Sequence, residues 1–377
     1  MLQKRGILLS FILLTVFACK KAQPGDSTGK STSVQYAKGF DLQQTSGQDL
    51  LVVKQISQKI TRSVTYLLLQ RGEKVPADLA YDKIIRLPIR KVICLSAPQV
   101  AFLTALGEQK RIQAITSISH IYNEEIHRRK REGKVQEVGS AGNLNLEKII
   151  SISPDVVFVE IISPADIDKF SILERAGISV VYISDWLEHT PLGRAEWLRL
   201  YGALFSKEKL AGEIFTKVEQ EYKQVLAKVS TIKKKPGILV NFPFKGVWYM
   251  PGGKSYMARL FQDARASYHW SGTTNTGSIP LDFESVLPVA IAAEFWISPG
   301  FTKSLQQLFA KEKRVKYFTS FQKKQIYNNH KRIRKEGGND YWESGVVSPH
   351  ILLQDLVKIL HPQLLPEYSL YYFNRLE

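Results

Sequence analysis

The sequence contains only two cysteines, Cys19 and Cys94, and they are too far apart to form a C-x-x-C motif. It also lacks the P-loop pattern G-x-x-x-x-G-K-[ST] and the zinc-protease pattern H-E-x-x-H. No G-x-G-x-x-G follows the first predicted strand in either half of the chain, so a dinucleotide is not the expected ligand. The seven histidines show no compact metal-ligand spacing. Nucleotide, dinucleotide and zinc-protease chemistry therefore lack motif support.

The G-x-S-x-G motif of α/β hydrolases is also missing. Ser96 follows a predicted strand and precedes a predicted helix, but its surroundings, LSAPQ, lack the flanking glycines. A hydrolase that uses Ser96 as its nucleophile is therefore an alternative function that no sequence motif supports. We predict no catalytic residue and no metal-ligand set.

Positive charge dominates, since 52 Lys and Arg residues against 35 Asp and Glu residues give a net charge of +17. Such an excess indicates nucleic acid, an anionic membrane or an anionic ligand as a partner, or only a basic solvated surface. The basic residues are scattered, and no zinc finger, RNA-binding signature or aromatic-interleaved basic stripe accompanies them. Nucleic acid is therefore not an expected partner.

The first residues, MLQKRGILLSFILLTVFA, combine a basic start with an apolar stretch too short to span a membrane comfortably. The small residue Ala18 precedes Cys19, so residues 1–18 resemble a bacterial lipoprotein signal peptide, in which the cysteine becomes the lipidated first residue. An ordinary signal peptide with an incidental cysteine is the alternative. Residues 19–38 are rich in Ser, Gly and Lys without an apolar period, which predicts a flexible tether. The expected location is periplasmic, with a soluble body held to a bacterial cell membrane through acylated Cys19.

Apolar and polar residues alternate in residues 39–88, which predicts a β-hairpin or a pair of strands. Strand and helix patterns then alternate in residues 89–189 and again in residues 234–377, as in α/β lobes with mainly parallel strands. Between them, residues 190–233 have apolar positions at helical spacing and no strand pattern. We predict an α/β fold with two three-layer lobes joined by one long rigid helix, a candidate helix break at residues 205–206, and an extra N-terminal β-hairpin segment.

In open α/β sheets, ligands bind outside the carboxyl ends of the strands. The predicted strand ends and the loops near them carry hydroxyl, imidazole and aromatic side chains. The candidate ligand-contacting residues are Ser96, Ala97, His120, Trp186, Trp248, Tyr249, Trp270, Tyr341 and Trp342. A cleft walled by aromatic rings suits a large, flat or partly apolar ligand, although a single aromatic is more often a core residue. By contrast, Cys94 and Trp296 stand inside apolar runs and are predicted to be core residues.

Several segments occur in a fixed order on either side of the strand-free stretch. In the first lobe they are RKVICLSAPQVAFLTALGEQKRIQAIT, EVGSAGNLNLEKIISISPDVVFV and LERAGISVVYIS. In the second lobe they are GGKSYMARLFQDA, TGSIPLDFESVL, AEFWISPG and GGNDYWESGVVSPHILLQDLVKILHPQLLP. In this order they resemble the substrate-binding proteins of bacterial ABC importers for iron–siderophores, haem and cobalamin, the class with a rigid helical linker.

The resemblance begins at about residue 85 and implies a monomeric receptor, not an enzyme, without a cofactor of its own. Such a receptor binds a metal chelate between its lobes and delivers it to the membrane subunits of the importer. The implied ligand is first a ferric siderophore, with haem and cobalamin as the other members of the class.

Glu147, in NLEKI, and Glu284, in DFESV, each open a predicted helix, one in each lobe. The resemblance implies that these glutamates engage arginines on the two membrane subunits of the importer. An exposed carboxylate suits directional pairing with arginine, and the first turn of a helix stabilises it by about 0.3–1 kcal/mol. Two ordinary helix N-terminal acids are the alternative explanation.

Residues 39–88 are not part of the usual core of this class, and no arginine cluster marks a pocket for a carboxylate-rich or catecholate ligand. Arg259 and Lys245 are the basic candidates for ligand contact. Three other functions stay open. A related receptor for a bare metal ion would need three or four converging His, Asp or Glu ligands. The others are the Ser96 hydrolase and an assembly or structural lipoprotein with a vestigial cleft.

Overall fold

The computed structural model describes residues 34–58, 60, 62–140 and 142–377. The predicted signal peptide, the lipidation site Cys19 and most of the predicted tether lie outside the described residues. Within the described part, no helix is both long enough and apolar enough to cross a membrane.

The N-terminal extension forms a four-stranded sheet and is therefore larger than the single hairpin predicted. Its strands, in pairing order, are β1 (Phe40–Thr45), β2 (Gln48–Val53), β3 (Val64–Gln70) and β4 (Lys83–Leu87). The first two strands form a hairpin through Ser46 and Gly47, both at positive φ, and β4 pairs in parallel with β3. Most residues of β3 are buried on both faces. The edge of β3 that does not pair with β2 is covered by β4, a strand that the sequence pattern did not predict.

The extension packs on the first lobe through aromatic side chains. The Phe40 ring lies 5.0 Å from the Trp197 ring. The backbone N–H of Tyr182, in the sheet of the first lobe, donates a hydrogen bond to the buried Tyr66 hydroxyl at 3.0 Å. The four strands therefore share one hydrophobic core with the first lobe.

The last residues of the predicted tether, 34–38, are bound to the protein body. The backbone N–H groups of Tyr36 and Ala37 donate to the buried carboxylate of Glu196 at 2.6 and 2.8 Å. The next two N–H groups along the chain donate to Glu188. Two buried carboxylates thus hold this segment, because each needs hydrogen-bond donors once it is removed from water.

The first lobe contains a five-stranded parallel sheet with the strand order β11-β10-β5-β6-β7. Its strands, with the small hairpin β8–β9, are β5 (Val92–Cys94), β6 (Ile112–Ile115), β7 (Gln136–Glu137), β8 (Gly139–Ser140), β9 (Asn143–Leu144), β10 (Val156–Val159) and β11 (Ser179–Tyr182). Its helices are α1 (Ala97–Ala105), α2 (Glu124–Arg131), α3 (Leu146–Ile152) and α4 (Pro164–Arg175). The central strands are fully buried, as in a sheet covered by helices on both faces.

The linker consists of three helices where one was predicted: α5 (Pro191–Glu196), α6 (Leu198–Leu204) and α7 (Glu208–Val229). The helical run is interrupted after Phe205, at the candidate break of residues 205–206, where Ser206 has a φ of +55°. The interruption allows α6 and α7 to pack into different hydrophobic cores. Tyr201 of α6 packs in the first lobe, and Phe215 and Tyr222 of α7 pack in the second. One straight helix could not present both apolar faces in these directions.

The second lobe contains a five-stranded sheet with the order β14-β12-β16-β17-β18, in which only β18 is antiparallel. Its strands, with a separate two-stranded antiparallel sheet of β13 and β15, are β12 (Gly237–Val240), β13 (Trp248–Pro251), β14 (Ser267–Tyr268), β15 (Ser278–Leu281), β16 (Phe295–Ile297), β17 (Ile326–Asn328) and β18 (Asn374–Arg375). Its helices are α8 (Tyr256–Asp263), α9 (Phe283–Ala292), α10 (Leu305–Lys311), α11 (Thr319–Gln322), α12 (Ser344–Val347) and α13 (Pro349–Leu360).

The predicted fold class is confirmed, since two α/β lobes with mainly parallel strands flank a helical linker. The predicted core residues Cys94 and Trp296 are buried. Burial raises the pKa of the Cys94 thiol, as expected for a thiol without a polar environment.

Candidate ligand-binding cleft

A cavity of about 520 Å³ lies between the lobes. Three parts of the chain meet there: the β2–β3 connection of the extension, the segment from the end of β11 into α5, and loops of the second lobe. Val240 and Ile297, at the carboxyl ends of β12 and β16, line the cavity, and Trp186 reaches it from the segment that follows β11. The cavity therefore lies on the carboxyl-end side of strands from both lobes, where ligands bind in such folds.

Aromatic side chains form much of the cavity wall. Trp186 follows β11, and Tyr341 and Trp342 reach the cavity from the loop before α12. The Tyr341 ring is buried and meets the Trp342 ring edge-on at 4.6 Å. Trp342 is 54% exposed, so its indole face is available to a ligand. The structure therefore brings these three predicted ligand-contacting residues together.

A buried charged pair borders the cavity. Arg194, which lines it, donates a hydrogen bond from Nε to Asp185 Oδ2 at 2.8 Å. Glu160, at the end of β10, lies beside this pair and accepts a hydrogen bond from Gln99 at 3.3 Å. Burial and the neighbouring Asp185 charge raise the pKa of Glu160 to about 7. The Arg194 guanidinium therefore balances acids within the protein.

Two further polar side chains of the cavity wall are already engaged within the protein. The Glu188 carboxylate accepts hydrogen bonds from the Gly39 N–H at 2.8 Å and from Trp197 Nε1 at 2.9 Å. His189 Nδ1 lies 3.0 Å from the Lys254 carbonyl oxygen in the second lobe. Since a carbonyl only accepts, Nδ1 carries the proton in this contact.

Trp248 and Tyr249 were predicted to contact ligand, and the Trp248 prediction is wrong. Trp248 is 0% exposed, and its Nε1 donates to the Val240 carbonyl at 2.9 Å. Its strand, β13, pairs with β15 and so directs the indole into the core, 6.1 Å from the Trp296 ring. Tyr249 alternates to the other face, is 44% exposed, and is not among the described residues that line the cavity.

The other predicted contact residues also lie away from the cavity wall. Ser96 and Ala97 are at the start of α1, where the Ser96 hydroxyl adjoins Glu160. His120 is exposed at the end of a short 3₁₀ turn after β6, and Trp270 packs against the Tyr268 ring at 5.7 Å. The expectation that ligand binds at the carboxyl ends of the strands therefore identified the correct edge of the sheets. It did not predict which strand ends reach the cavity.

Arg259 and Lys245 are likewise not among the described residues that line the cavity. Arg259 donates from Nε to Asp263 Oδ1 at 2.9 Å, within its own helix. Sequence reasoning missed Arg194 and the extension residues Gln55 and Gln58, which do line it. A charged residue at a helical apolar position, as in PLGRAE, was the available signal for Arg194.

Glu147 and Glu284 are both exposed residues near helix starts. Asn145 caps α3 and Asp282 caps α9, each through a side-chain oxygen that accepts an N–H three residues on. Glu284 pairs with Arg314 at 2.8 Å. Among the described residues, no group of three or more His, Cys, Asp or Glu side chains is arranged to hold a metal ion.

Residues 92–333, more than half of the chain, match the periplasmic binding protein family. The chain belongs to this family. This periplasmic binding protein is similar to an uncharacterized lipoprotein of Methanocaldococcus jannaschii, with 31% identity over 293 residues. That match covers 74% of this chain and 67% of the relative.

Solved structures of solute-binding proteins share the fold of this periplasmic binding protein. A siderophore-binding protein bound to two acinetobactin molecules and ferric iron matches with a TM-score of 0.55 and 14% identity, over 83% of this chain and 99% of that chain. An ABC-type Fe³⁺-hydroxamate transport system from Saccharomonospora viridis matches with a TM-score of 0.54 and 17% identity, over 73% of this chain and 94% of that chain. The family and its structural neighbours are solute-binding proteins, so the Ser96 hydrolase alternative is wrong.

Proposed function

We propose that this periplasmic binding protein is a lipid-anchored receptor that captures a metal chelate between its lobes and delivers it to an ABC importer. The observation that carries the proposal is the aromatic cavity of about 520 Å³ at the carboxyl ends of both sheets. A cavity of this size, with rings for apolar contact and a few polar groups for orientation, suits an organic ligand. The chelate is cargo and not a resident cofactor, and the receptor acts as a monomer.

The proposed cargo is first a ferric siderophore. Two structural neighbours are named for ferric ligands, one bound to acinetobactin and iron and one for Fe³⁺-hydroxamate transport. The exposed Trp342 face and the Trp186 ring suit the apolar surface of such a chelate. Haem and cobalamin are the alternative chelates, and a bare metal ion is the alternative outside this class.

Anchoring and delivery complete the proposal. Acylated Cys19, which lies outside the described residues, would hold the receptor at the outer face of a bacterial cell membrane. Glu147 and Glu284 would each meet an arginine of one membrane subunit. The match to a lipoprotein of Methanocaldococcus jannaschii supports the anchored location.

Tryptophan fluorescence of the purified protein tests the proposal, because Trp186 and Trp342 line the cavity. Ferrichrome, ferric enterobactin, haemin, cyanocobalamin, Zn²⁺ and Mn²⁺ are titrated separately. We expect saturable quenching by at least one chelate with a Kd of about 1 μM or below. Trp186→Phe and Trp342→Phe should reduce the quenched signal, whereas Trp270→Phe, away from the cavity, should not. Saturable binding of a free metal ion alone, or no saturable binding at all, contradicts the proposal.

A further inference from the structure

We propose that the N-terminal extension forms one wall of the ligand site, and that its residues Gln55 and Gln58 contact the ligand through their side-chain amides. This inference rests on the proposed function, because it concerns the ligand of the same cavity. It adds a binding element that the family match does not include, since that match begins at Val92 and the extension sheet ends at Leu87.

The extension is held firmly enough to serve as a wall. Arg71 pairs with Asp155 of the first lobe at 2.6 Å, and Lys83 pairs with Glu174. The Tyr66 hydroxyl accepts the backbone N–H at the end of β11, the strand that leads directly to the cavity. This hydrogen bond ties β3 of the extension to β11, the strand that precedes Trp186.

Packing within the β2–β3 connection directs its two glutamines. Ile56 and Ser57, between the glutamines, are each 1% exposed, so the chain is anchored there. Gln55 Nε2 donates to the Ser57 carbonyl at 2.8 Å, which fixes the orientation of its amide. A side-chain amide has two N–H donors and an oxygen that accepts. This internal bond therefore uses one donor of a group that borders the cavity.

Gln58 carries the extension across the cleft to the second lobe. Its Nε2 donates to Thr276 Oγ1 at 3.1 Å, and Thr276 lies in the loop before β15. Both residues line the cavity. The neighbouring Gly277 also lies close, since a Cβ placed on it would be 3.6 Å from Gln58 Nε2. The extension thus reaches the second lobe at one side of the cavity.

The charged side chains at the cavity wall indicate the net charge of the ligand that the cavity binds. The Arg194 charge is balanced by Asp185, and the Glu188 carboxylate accepts backbone and indole N–H groups. Burying a charged ligand without a compensating partner is costly, whereas amides pair with neutral carbonyl, amide and hydroxyl groups. The inferred ligand class is an electrically neutral chelate with such groups at its periphery.

Binding titrations with matched variants test this inference. The probes are ferrichrome, a neutral ferric trihydroxamate, cyanocobalamin, and ferric enterobactin, a trianion. The variants are Gln55→Ala, Gln58→Ala and the double variant, with Gln44→Ala as the control on the exposed side of the same sheet. Thr276→Ala removes the cross-cleft contact from the second lobe without altering the extension.

We expect a neutral probe to bind the parent protein more tightly than ferric enterobactin, and the double variant to raise its Kd by about tenfold or more. Thr276→Ala should raise the dissociation rate, and Gln44→Ala should leave the Kd within about twofold. A parent protein that binds no chelate overturns the proposed function, and this inference with it. A parent that binds a chelate while the folded double and Thr276→Ala variants bind it equally well overturns this inference alone. Tighter binding of the trianion overturns the assigned ligand class.

Discussion

Glu147 and Glu284 occupy the same helical position, the second residue after the N-cap, in α3 of the first lobe and α9 of the second. Each helix leads into the strand that pairs with the first strand of its own lobe sheet. In parallel sheets, the start of such a helix lies at the carboxyl ends of the strands. The two carboxylates therefore lie at corresponding places in the two lobes, near the carboxyl ends of the strands.

Reversing both charges should block delivery without affecting capture. In Glu147→Lys/Glu284→Lys, repulsion from importer arginines should abolish chelate uptake by host cells that carry only the variant. Chelate affinity should stay unchanged, because neither residue lines the cavity. Glu208→Lys is the matched control, since Glu208 is an exposed acid at the start of α7 in the linker. Normal uptake by the double variant would exclude a docking role.

Removing Arg314 should strengthen docking of the second lobe. Arg314 holds Glu284 at 2.8 Å and also pairs with Glu312, while its guanidinium lies 3.6 Å above the Phe283 ring. This intramolecular partner competes with an importer arginine for the same carboxylate. Arg314→Gln should therefore tighten binding to the solubilised membrane subunits by about two- to fivefold at low salt.

Lys313→Gln controls for the lost positive charge, because Lys313 is the adjacent residue and lies over the Phe309 ring. Its effect on binding to the membrane subunits should be smaller than that of Arg314→Gln. If both variants change the affinity equally, the effect comes from net charge, and competition for Glu284 is disproved.

Trp342 and Trp248 should separate ligand binding from stability. Trp342→Ala should raise the Kd of a bound chelate by about tenfold and change the free energy of unfolding by less than about 1 kcal/mol, because the side chain is 54% exposed. Trp248→Ala should cost about 3–5 kcal/mol of stability, since its indole is fully buried. Denaturant unfolding and fluorescence titration measure the two effects, and a large stability loss in Trp342→Ala would contradict this assignment.

These two tryptophans also show how far sequence reasoning reached. The α/β lobes and the helical linker were predictable because strand and helix patterns depend on residues only a few positions apart. Trp248 stands in the strand-like run GVWYM and Trp342 in a polar loop, yet both were predicted to contact ligand because they lie near strand ends. Trp248 turns inward because β13 pairs with β15, where its partner is Leu281. Such pairing between separate segments is not encoded in the pattern of either one.

The composition of the cavity wall was the least predictable feature. Gln58 meets Thr276 across 218 sequence positions, and neither residue type indicates a site by itself. Arg194 could be recognised only as a charge on an apolar helix face, because its partner Asp185 comes from a different element. Trp186, Tyr341 and Trp342 were predicted as aromatic residues near strand ends, but the same reasoning also selected Trp248 and Trp270, which do not line the cavity.

Glu343 should make the stability of the protein depend on pH. It is 3% exposed and lies in the second lobe, where its Oε2 accepts the Tyr122 N–H of the first lobe at 2.6 Å. Burial, with a further contribution from the Asp340 charge, raises its pKa to about 8, although the N–H groups it accepts and Arg334 act in the opposite direction. The folded protein therefore binds this proton more tightly than the unfolded chain does.

The sign of the effect follows from this difference in proton affinity. The stabilisation is complete below the ordinary glutamate pKa of 4.5 and is lost as the pH rises through about 8. Glu343→Gln keeps the acceptor oxygen and removes the titration. Its free energy of unfolding relative to the parent should therefore rise by on the order of 2–4 kcal/mol between about pH 5 and pH 9. Glu336→Gln, an exposed control on the same segment, should show no such rise, because the pKa of Glu336 is lowered and its effect falls below this window. Parallel pH–stability curves for the parent and Glu343→Gln, from urea unfolding, would show that Glu343 is not protonated in the folded protein.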